Sequence, residues 1–524
     1  MSVQNLDFES SKSAEAEASI PTGMTSNGER SAADSFQEKQ DVVVDLPAGE
    51  KPEYATGLRL FLIMFTISMS GLLTALEIGI IATAIPEITG EFHSISDVGW
   101  YGCATFLVAG AFAAMWGKLY KYLNIKYAYL ASIAIFLVGS IVAAAAPNST
   151  AVIVGRAIQG WGISGTMSGS IIIINYVSHP KKHPVLIGTW TGIFMVPKHI
   201  RPIPATWKEI ILQLDLPGLS LVLAALVCLT LAMQWGGQTK AWNQSSVIAT
   251  LLLWLSFNIL FVVLEWFQGA RAMVPLKLLK PRVTWANALY SFISNSAFYQ
   301  VMFYLPIYFQ SIHSQSAIIS GVNSLPFFAF FALGAVLSGT FIGKTRHLQP
   351  YQLTSALLMT AGMALLYTLD IDSSQAWYIG AEVLFGFGVG FGNQVPMMAV
   401  QGLSKPEDVA SSTGIMIMCQ SSSGAYFIVV AQSLFANRML QTIKTTAPNL
   451  DAVQVLGTGA SDIHHVFSGG DLAAVLDAYM IGIKDVFTCA LAGSAVAVLV
   501  ALVIPFEKLP NQNGEKTEEK VATV

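Results

Sequence analysis

The sequence predicts an all-α polytopic membrane protein with about twelve spanning helices, on three observations. The 524 residues are 53% hydrophobic and only 11% charged, with a mean hydropathy of +0.57, whereas a soluble domain carries roughly 25% charged residues. The apolar residues gather into segments of about 20, the length a helix needs to cross a bilayer core. Basic residues collect in alternate connecting loops, the bias that marks the cytoplasmic side of a membrane protein.

The twelve segments are centred near Gly71, Val108, Phe136, Gly162, Val222, Ser256, Ala297, Phe331, Thr360, Phe387, Ser421 and Ser494. Most connections are short, so successive helices run antiparallel. With the N-terminus inside, the cytoplasmic loops hold Lys118, Lys121 and Lys126, then Lys181 and Lys182, then Arg271, Lys277, Lys280 and Arg282, then Lys344 and Arg346, then Lys405. Outer loops carry acids instead, with Glu87, Glu91 and Asp97 in the first and Asp370 and Asp372 in a later turn. Asn148 and Asn243 begin Asn-x-Ser/Thr triplets on the outside of this map and are candidate glycosylation sites. The layout is a polar cytoplasmic tail over 1–57, an N-terminal bundle over 58–196, a cytoplasmic linker over 197–213, a central and C-terminal bundle over 214–505, and a second polar cytoplasmic tail over 506–524. The largest outer loop, partly helical, is expected at 436–483. The first tail lacks the apolar core of a cleaved signal peptide.

Composition also narrows the function classes. The net charge is −4 and the basic residues sit in short clusters rather than along one face, which argues against a nucleic-acid partner. Cys103, Cys228, Cys419 and Cys489 all lie inside apolar segments without ligand spacing and read as small core residues. The outer loops show no His-rich cluster, nucleophile elbow or paired metal ligands, so neither enzyme chemistry nor a metal or cofactor is expected. Gly386, Gly388, Gly390 and Gly392 follow no strand and indicate close helix packing rather than a nucleotide loop.

An ionisable side chain within a membrane helix costs several kcal/mol unless paired or hydrated. Glu77, Arg156 and Glu382 are therefore candidate functional groups. Glu77 is either a protonatable group facing a cavity or one reaching for the interface. Arg156 has the alternative of a structural cation bonded to backbone carbonyls. Asp215 and Glu265 fall near cytoplasmic helix ends, where a carboxylate is expected to be solvated. Gln300, Tyr304, Gln310, Asn393, Gln394 and Gln420 are candidate liners of a substrate cavity near the bilayer midplane. Trp100, Trp235 and Trp242 suit interfacial belts.

Four segments carry a family resemblance: LEIGIIATAIPEI (76–88), GKLYKYLNIK (117–126), VGRAIQGWG (154–162) and LPIYFQSIHSQSAIISGVNSLP (305–326). They resemble the fourteen-helix drug:proton antiporters of the major facilitator superfamily, particularly fungal toxin efflux pumps, over about 58–505. The first is similar to the signature LDxTIVxxALPxI, with Glu77 in place of Asp. The second is a degenerate form of GxLaDrxGrkxxl, with Lys121 where an acid is usual. The third keeps the arginine of that family as Arg156.

The resemblance implies a major facilitator fold whose two helical halves rock about a central cavity. It also implies proton antiport, with the Arg156 charge beside a carboxylate. The expected partners are a small hydrophobic or amphipathic metabolite, toxin or drug, protons and the lipid bilayer. The expected place is the plasma membrane, with the vacuolar membrane as alternative. Rival readings are an importer of a siderophore or organic cation on the same fold, and a non-transporting membrane protein. One departure keeps that last reading open. The family's fifth helix carries gxxxGPxxGG and leads to a sixth, whereas here VLIGTWTGIFMV (185–196), too short to cross, runs straight into PKHIRPIPATWKE. Half of helix five and all of helix six are missing, as a skipped or misassigned exon would produce.

Overall fold

The structure is a computed structural model that describes residues 57–92, 97–177, 206–405, 408–451, 454–455, 458 and 463–508. The expected tails lie outside these, except for Gly57 and residues 506–508, and so does the short apolar run 185–196.

The long helices are α1 (Gly57–Phe92), α2 (Val98–Tyr122), α3 (Ile125–Ala144), α4 (Ser149–Val177), α5 (Leu216–Trp235), α6 (Ser245–Gln268), α7 (Arg282–Ser311), α8 (Leu325–Thr345), α9 (Gln349–Tyr367), α10 (Gln375–Asn393), α11 (Val409–Thr446) and α12 (Gly469–Val503). Each contains one of the twelve expected centres. Among the described residues, nine helical stretches are long and apolar enough to cross a membrane by themselves. The remaining long helices are α1, α7 and α9. The central stretch of α7, SFISNSAFYQ, is polar because it faces protein: Ser291, Ser294, Asn295 and Gln300 are all buried. The opposite case is α6, which buries only Val247 and Glu265 and exposes Leu252, Leu255, Ile259 and Val262. A helix apolar all round that leaves most of its surface exposed is a lipid-facing one.

The helices pair in two similar sets. Helices α2 and α3 pack on α4, as α8 and α9 pack on α10. In the second set α11 and α12 also cover α7, and α12 covers α9. Among the described residues the first set has no such extra pair. Helices α5 and α6 form a hairpin that touches the bundle through α2 and α11.

The two sets meet where α2 runs along α11. A Cβ on Gly117 would lie 2.6 Å from the Ala410 carbonyl oxygen, so the backbones touch there. At the end of this seam Lys121 pairs with Asp408, the residue preceding the first turn of α11, at 3.9 Å. The acid that the loop motif lacks is thus supplied by the facing helix, where it also offsets the positive helix N-terminus.

Loops assigned to the cytoplasm gather on one face. Lys118 Nζ donates to the Arg271 and Ala272 carbonyls, and Arg282 Nε donates to the Val503 carbonyl. The other face holds the acidic loops, with ion pairs Lys484–Asp370 at 3.2 Å and Arg438–Asp485 at 3.3 Å. The Ile371 backbone N–H, and then Lys484, hold the Asp370 carboxyl below the usual carboxylate range.

Two sequence boundaries shift. The outer loop expected at 436–483 narrows to 447–468, because α11 continues to Thr446 and α12 begins at Gly469. Ala436, Met439, Leu440 and Ile443 form a buried stripe, so the extension of α11 is held by packing outside the apolar run that sequence alone detects. The linker expected at 197–213 contains a helix, Trp207–Gln213, whose Thr206 hydroxyl caps the Glu209 N–H.

Helices α3 and α4 approach so closely that a Cβ on Gly162 would lie 2.4 Å from the Phe136 backbone nitrogen, whereas one on Gly380 meets nothing within 4 Å. Gly162→Ala is expected to destabilise the detergent-solubilised protein by about 1–3 kcal/mol, with Gly380→Ala neutral or slightly stabilising. Thermal unfolding of the two variants checks this.

Candidate functional site

The site in the N-terminal half is built by glycine. A Cβ on Gly160 would lie 2.2 Å from the Thr105 carbonyl oxygen, so α4 can press against α2 only without one. That approach sets Arg156, one turn earlier, between α4, α2 and α1, where it is 1% exposed. Its Nη1 lies 3.4 Å from Glu77 Oε1 and donates to Gln159 Oε1 at 3.1 Å. Its Nε donates to the Tyr101 carbonyl at 3.3 Å, and its buried Nη2 has no partner. Gln159 Nε2 donates to Glu77 Oε1 at 2.7 Å and to Ser140 Oγ at 3.1 Å. Thr105 Oγ1 donates to the Arg156 carbonyl at 3.1 Å.

Both sequence readings of Arg156 therefore describe part of its setting, since it holds a carboxylate and a backbone carbonyl together. Glu77 turns toward Arg156, and its side chain remains 30% exposed. It is the member of the pair that the bundle does not enclose. Gln159 was not singled out by sequence, although it stands three residues after Arg156 and so shares its helix face.

Glu382 lies in the other half, fully buried on α10, with no hydrogen bond or ion pair joining it to Glu77 or Arg156. Neither of its carboxyl oxygens completes a hydrogen bond. The Phe327 backbone N–H and the Tyr378 side chain face it. Phe327 in turn stacks on Phe385 with ring centroids 5.8 Å apart.

The candidate cavity liners divide. Tyr304 on α7 donates its hydroxyl to Gln432 Oε1 on α11 at 3.1 Å, and Gln420 Nε2 on α11 reaches the Asn393 carbonyl at 3.4 Å. Gln300 Oε1 and Asn393 Oδ1 are buried without a partner, and such atoms call for a water or a ligand group. Gln394 stands beside Asn393, half-buried at the end of α10. Gln310 Nε2 is likewise buried without a partner, but at another height. It is ten residues along α7 from Gln300, about 15 Å, near the turn where the Tyr308 hydroxyl donates to the Asp370 carbonyl. Sequence reasoning missed Phe106 on α2, which meets Tyr299 and Phe303 of α7 at ring-centroid distances of 4.5 and 6.3 Å and so joins the two halves. Nothing in the sequence distinguishes it from other apolar aromatics.

Asp215 and Glu265, expected to be solvated, are each 2% exposed. The loop after α6 folds back under α2 and covers them, which position along a helix does not reveal. Asn148 is exposed, with its Oδ1 accepting from the Ala151 N–H at the start of α4. Asn243 is exposed between α5 and α6.

These features define a polytopic helical membrane protein built in two halves, with an arginine–carboxylate pair buried in one of them. The chain belongs to the Major Facilitator Superfamily, which residues 67–428 match. It is 58% identical over 542 residues to a protein named dehydrocurvularin exporter from Alternaria cinerariae, covering 95% of this chain and 93% of the relative. It is 56% identical over 545 residues to efflux pump notK from Aspergillus sp. (strain MF297-2), covering 95% and 96%. Both matched stretches exceed the 524 residues of this chain, so each relative holds residues inside the match that have no counterpart here. Among solved structures, an inward-facing bacterial homologue of the human lysosomal transporter Spinster shares the fold with a TM-score of 0.52 at 12% identity, covering 84% of this chain and 96% of that one.

Removing one partner of a buried ion pair leaves the other charge uncompensated, a loss of about 3 kcal/mol or more. Glu77→Gln is expected to lower stability by that order, and Arg156→Met added to it to recover part of the loss. In a double-mutant cycle of unfolding free energies the two should couple by at least about 1 kcal/mol. Strict additivity would show that the pair does not act as a unit.

Proposed function

We propose that this protein is a proton antiporter that exports a small hydrophobic or amphipathic secondary metabolite or toxin by alternating access. Its place would be the plasma membrane, with both termini cytoplasmic, the 58–196 and 214–505 bundles as the moving halves, and Asn148 and Asn243 as acceptors of outer-face glycosylation.

The observation that carries the reading is Glu77, a partly exposed carboxylate held by Gln159 against a buried guanidinium. While ionised it compensates Arg156. A proton arriving on Glu77 removes that compensation, and the free Arg156 charge then favours a different arrangement of α1, α2 and α4. Substrate would bind between the halves, among Phe106, Tyr299, Phe303, Gln300 and Gln420, and leave when the seam of α2 and α11 opens outward. Glu382 offers a second carboxyl in the other half. Ionised and without a cation it would be costly, so it takes a proton during the cycle.

The names of the relatives support export and give no support to the importer or the non-transporting reading. They also supply a first substrate to try. In yeast expressing the full-length protein, intracellular dehydrocurvularin should fall severalfold relative to control cells. The effect should vanish with a protonophore and in Glu77→Gln. Equal accumulation in expressing and control cells would count against export of this compound class.

The longer matched stretches in the relatives bear on the missing hairpin. Sequencing the transcript across codons 193–201 should reveal further coding sequence that restores a Gly-Pro motif and another apolar segment. A message that reads as printed would instead favour a twelve-helix protein with little or no transport.

A further inference from the structure

A second set of buried charges lies at the cytoplasmic end of the bundle, where α2, α5, α6 and the segment after α6 meet. At Gly269, with φ +58, the chain turns back and runs beneath α2. Lys118, 3% exposed, donates Nζ to the Arg271 carbonyl at 2.6 Å and the Ala272 carbonyl at 2.5 Å. Asp215 caps α5 from a left-handed conformation, φ +48, which Asp tolerates better than most residues. A Cβ on Gly218 would lie 2.3 Å from Asp215 Oδ2, so the glycine leaves room for the carboxylate over the first turn. Asp215 Oδ1 accepts from the Gly218 N–H at 2.9 Å and from Gln268 Nε2 at 2.6 Å, while Oδ2 accepts from the Met273 N–H at 3.0 Å. Asp215 is thus well satisfied as an anion.

Glu265 is not. Its Oε2 accepts from the Val274 N–H at 2.7 Å, but its buried Oε1 has no donor. Glu265 neighbours Asp215, since the two carboxyls accept from the consecutive backbone N–H groups of Val274 and Met273, and Gln268, three residues after Glu265, donates to Asp215. Like charges so placed disfavour ionising both carboxyls, and a hydrogen on one of them relieves the repulsion. The charge count agrees, since one ammonium and two carboxylates would leave a net buried negative charge, and one proton removes it. The other charges nearby are already engaged. Lys121 pairs with Asp408, and Glu209 of the Trp207–Gln213 helix receives both Nε and Nη2 of Arg271, at 3.2 and 3.1 Å. A metal cation is disfavoured because Lys118 already occupies the loop carbonyls that would ligate it.

We infer that Asp215 and Glu265 form a further proton-binding site, separate from Glu77–Arg156 and from Glu382, in which one shared proton fastens the α5–α6 hairpin and the 271–274 segment to the cytoplasmic end of α2. The proton comes from cytoplasmic water and returns to it. Its loss leaves two adjacent carboxylates facing one lysine, and their repulsion loosens the segment from Lys118. Low cytoplasmic pH therefore closes this clasp and high pH releases it, whatever the transported substrate.

The test uses purified full-length protein in nanodiscs and needs no transport, so a failure of the export reading would leave it intact. Infrared difference spectra across a pH titration should show the band of a protonated carboxyl that disappears with pH, is lost in Glu265→Gln, shifts in Asp215→Asn, and is the same in sodium and potassium buffers. In a Met273→Cys variant, labelling by a membrane-impermeant maleimide, corrected for the parent protein, should rise severalfold more with pH than in Met273→Cys/Glu265→Gln, where the clasp stays neutral. A wild-type spectrum with no titrating carboxyl band, a titrating band that Glu265→Gln leaves undiminished, a band abolished by sodium, or equal pH dependence of labelling in the two cysteine variants would each overturn the inference.

Discussion

The guanidinium of Arg156 cannot lie alone in the bundle, and much of the N-terminal half is arranged so that it does not. A buried ion is tolerated only when countercharge and hydrogen bonds are brought to it. The countercharge comes from α1 through Glu77, a carbonyl comes from α2 through Tyr101, and Gln159 on α4 holds carboxylate and guanidinium together. These contacts require α4 to lie against α2 within backbone distance, which is why Gly160 faces the Thr105 carbonyl. Side-chain electrostatics and helix packing are one constraint here.

The same constraint recurs at the face that gathers the basic loops, with other partners. Lys121 would meet the positive end of α11 if Asp408 did not stand between them, and Lys118 is capped by two loop carbonyls and countered by Asp215 and Glu265. One turn of α2 therefore ties three things together: the N-terminal half, the seam with α11, and the α5–α6 hairpin. That hairpin exposes most of α6, and it is held to the bundle by these polar groups together with an apolar cluster in which Leu219 and Met273 pack on Ala111, Ala114 and Met115.

The helices were legible in the sequence because a bilayer imposes a length and a composition that few other settings demand. Even α7, polar along its middle, was located by the apolar residues that flank its Ser and Asn. The extent of α11 was not legible, because beyond the membrane its stripe of Ala436, Met439, Leu440 and Ile443 alternates with polar residues and reads as loop. In the site, Glu77 and Arg156 stood out as charges within apolar runs; the resemblance implied a carboxylate beside Arg156 without saying which. Gln159 followed from helical spacing but carries no charge to draw notice. Asp215 and Glu265 were misjudged for a definite reason: their burial comes from residues 271–274 folding back over them, a tertiary event that helix-end position does not encode. The polar groups between α7, α10 and α11 were identifiable as a class, but the distance of Gln310 from Gln300 was not, because residue type does not report height along a helix.

The coupling of a proton to Glu77 is the centre of this picture, and one measurement bears on it most directly. Full-length protein reconstituted in liposomes with a trapped pH-sensitive dye should, on addition of dehydrocurvularin to one side, move protons to that side without any imposed gradient. Glu77→Gln vesicles should bind the compound and show no proton movement. Substrate transport of equal rate in both, with no proton signal in either, would contradict a proton antiport mechanism built on Glu77 and Arg156.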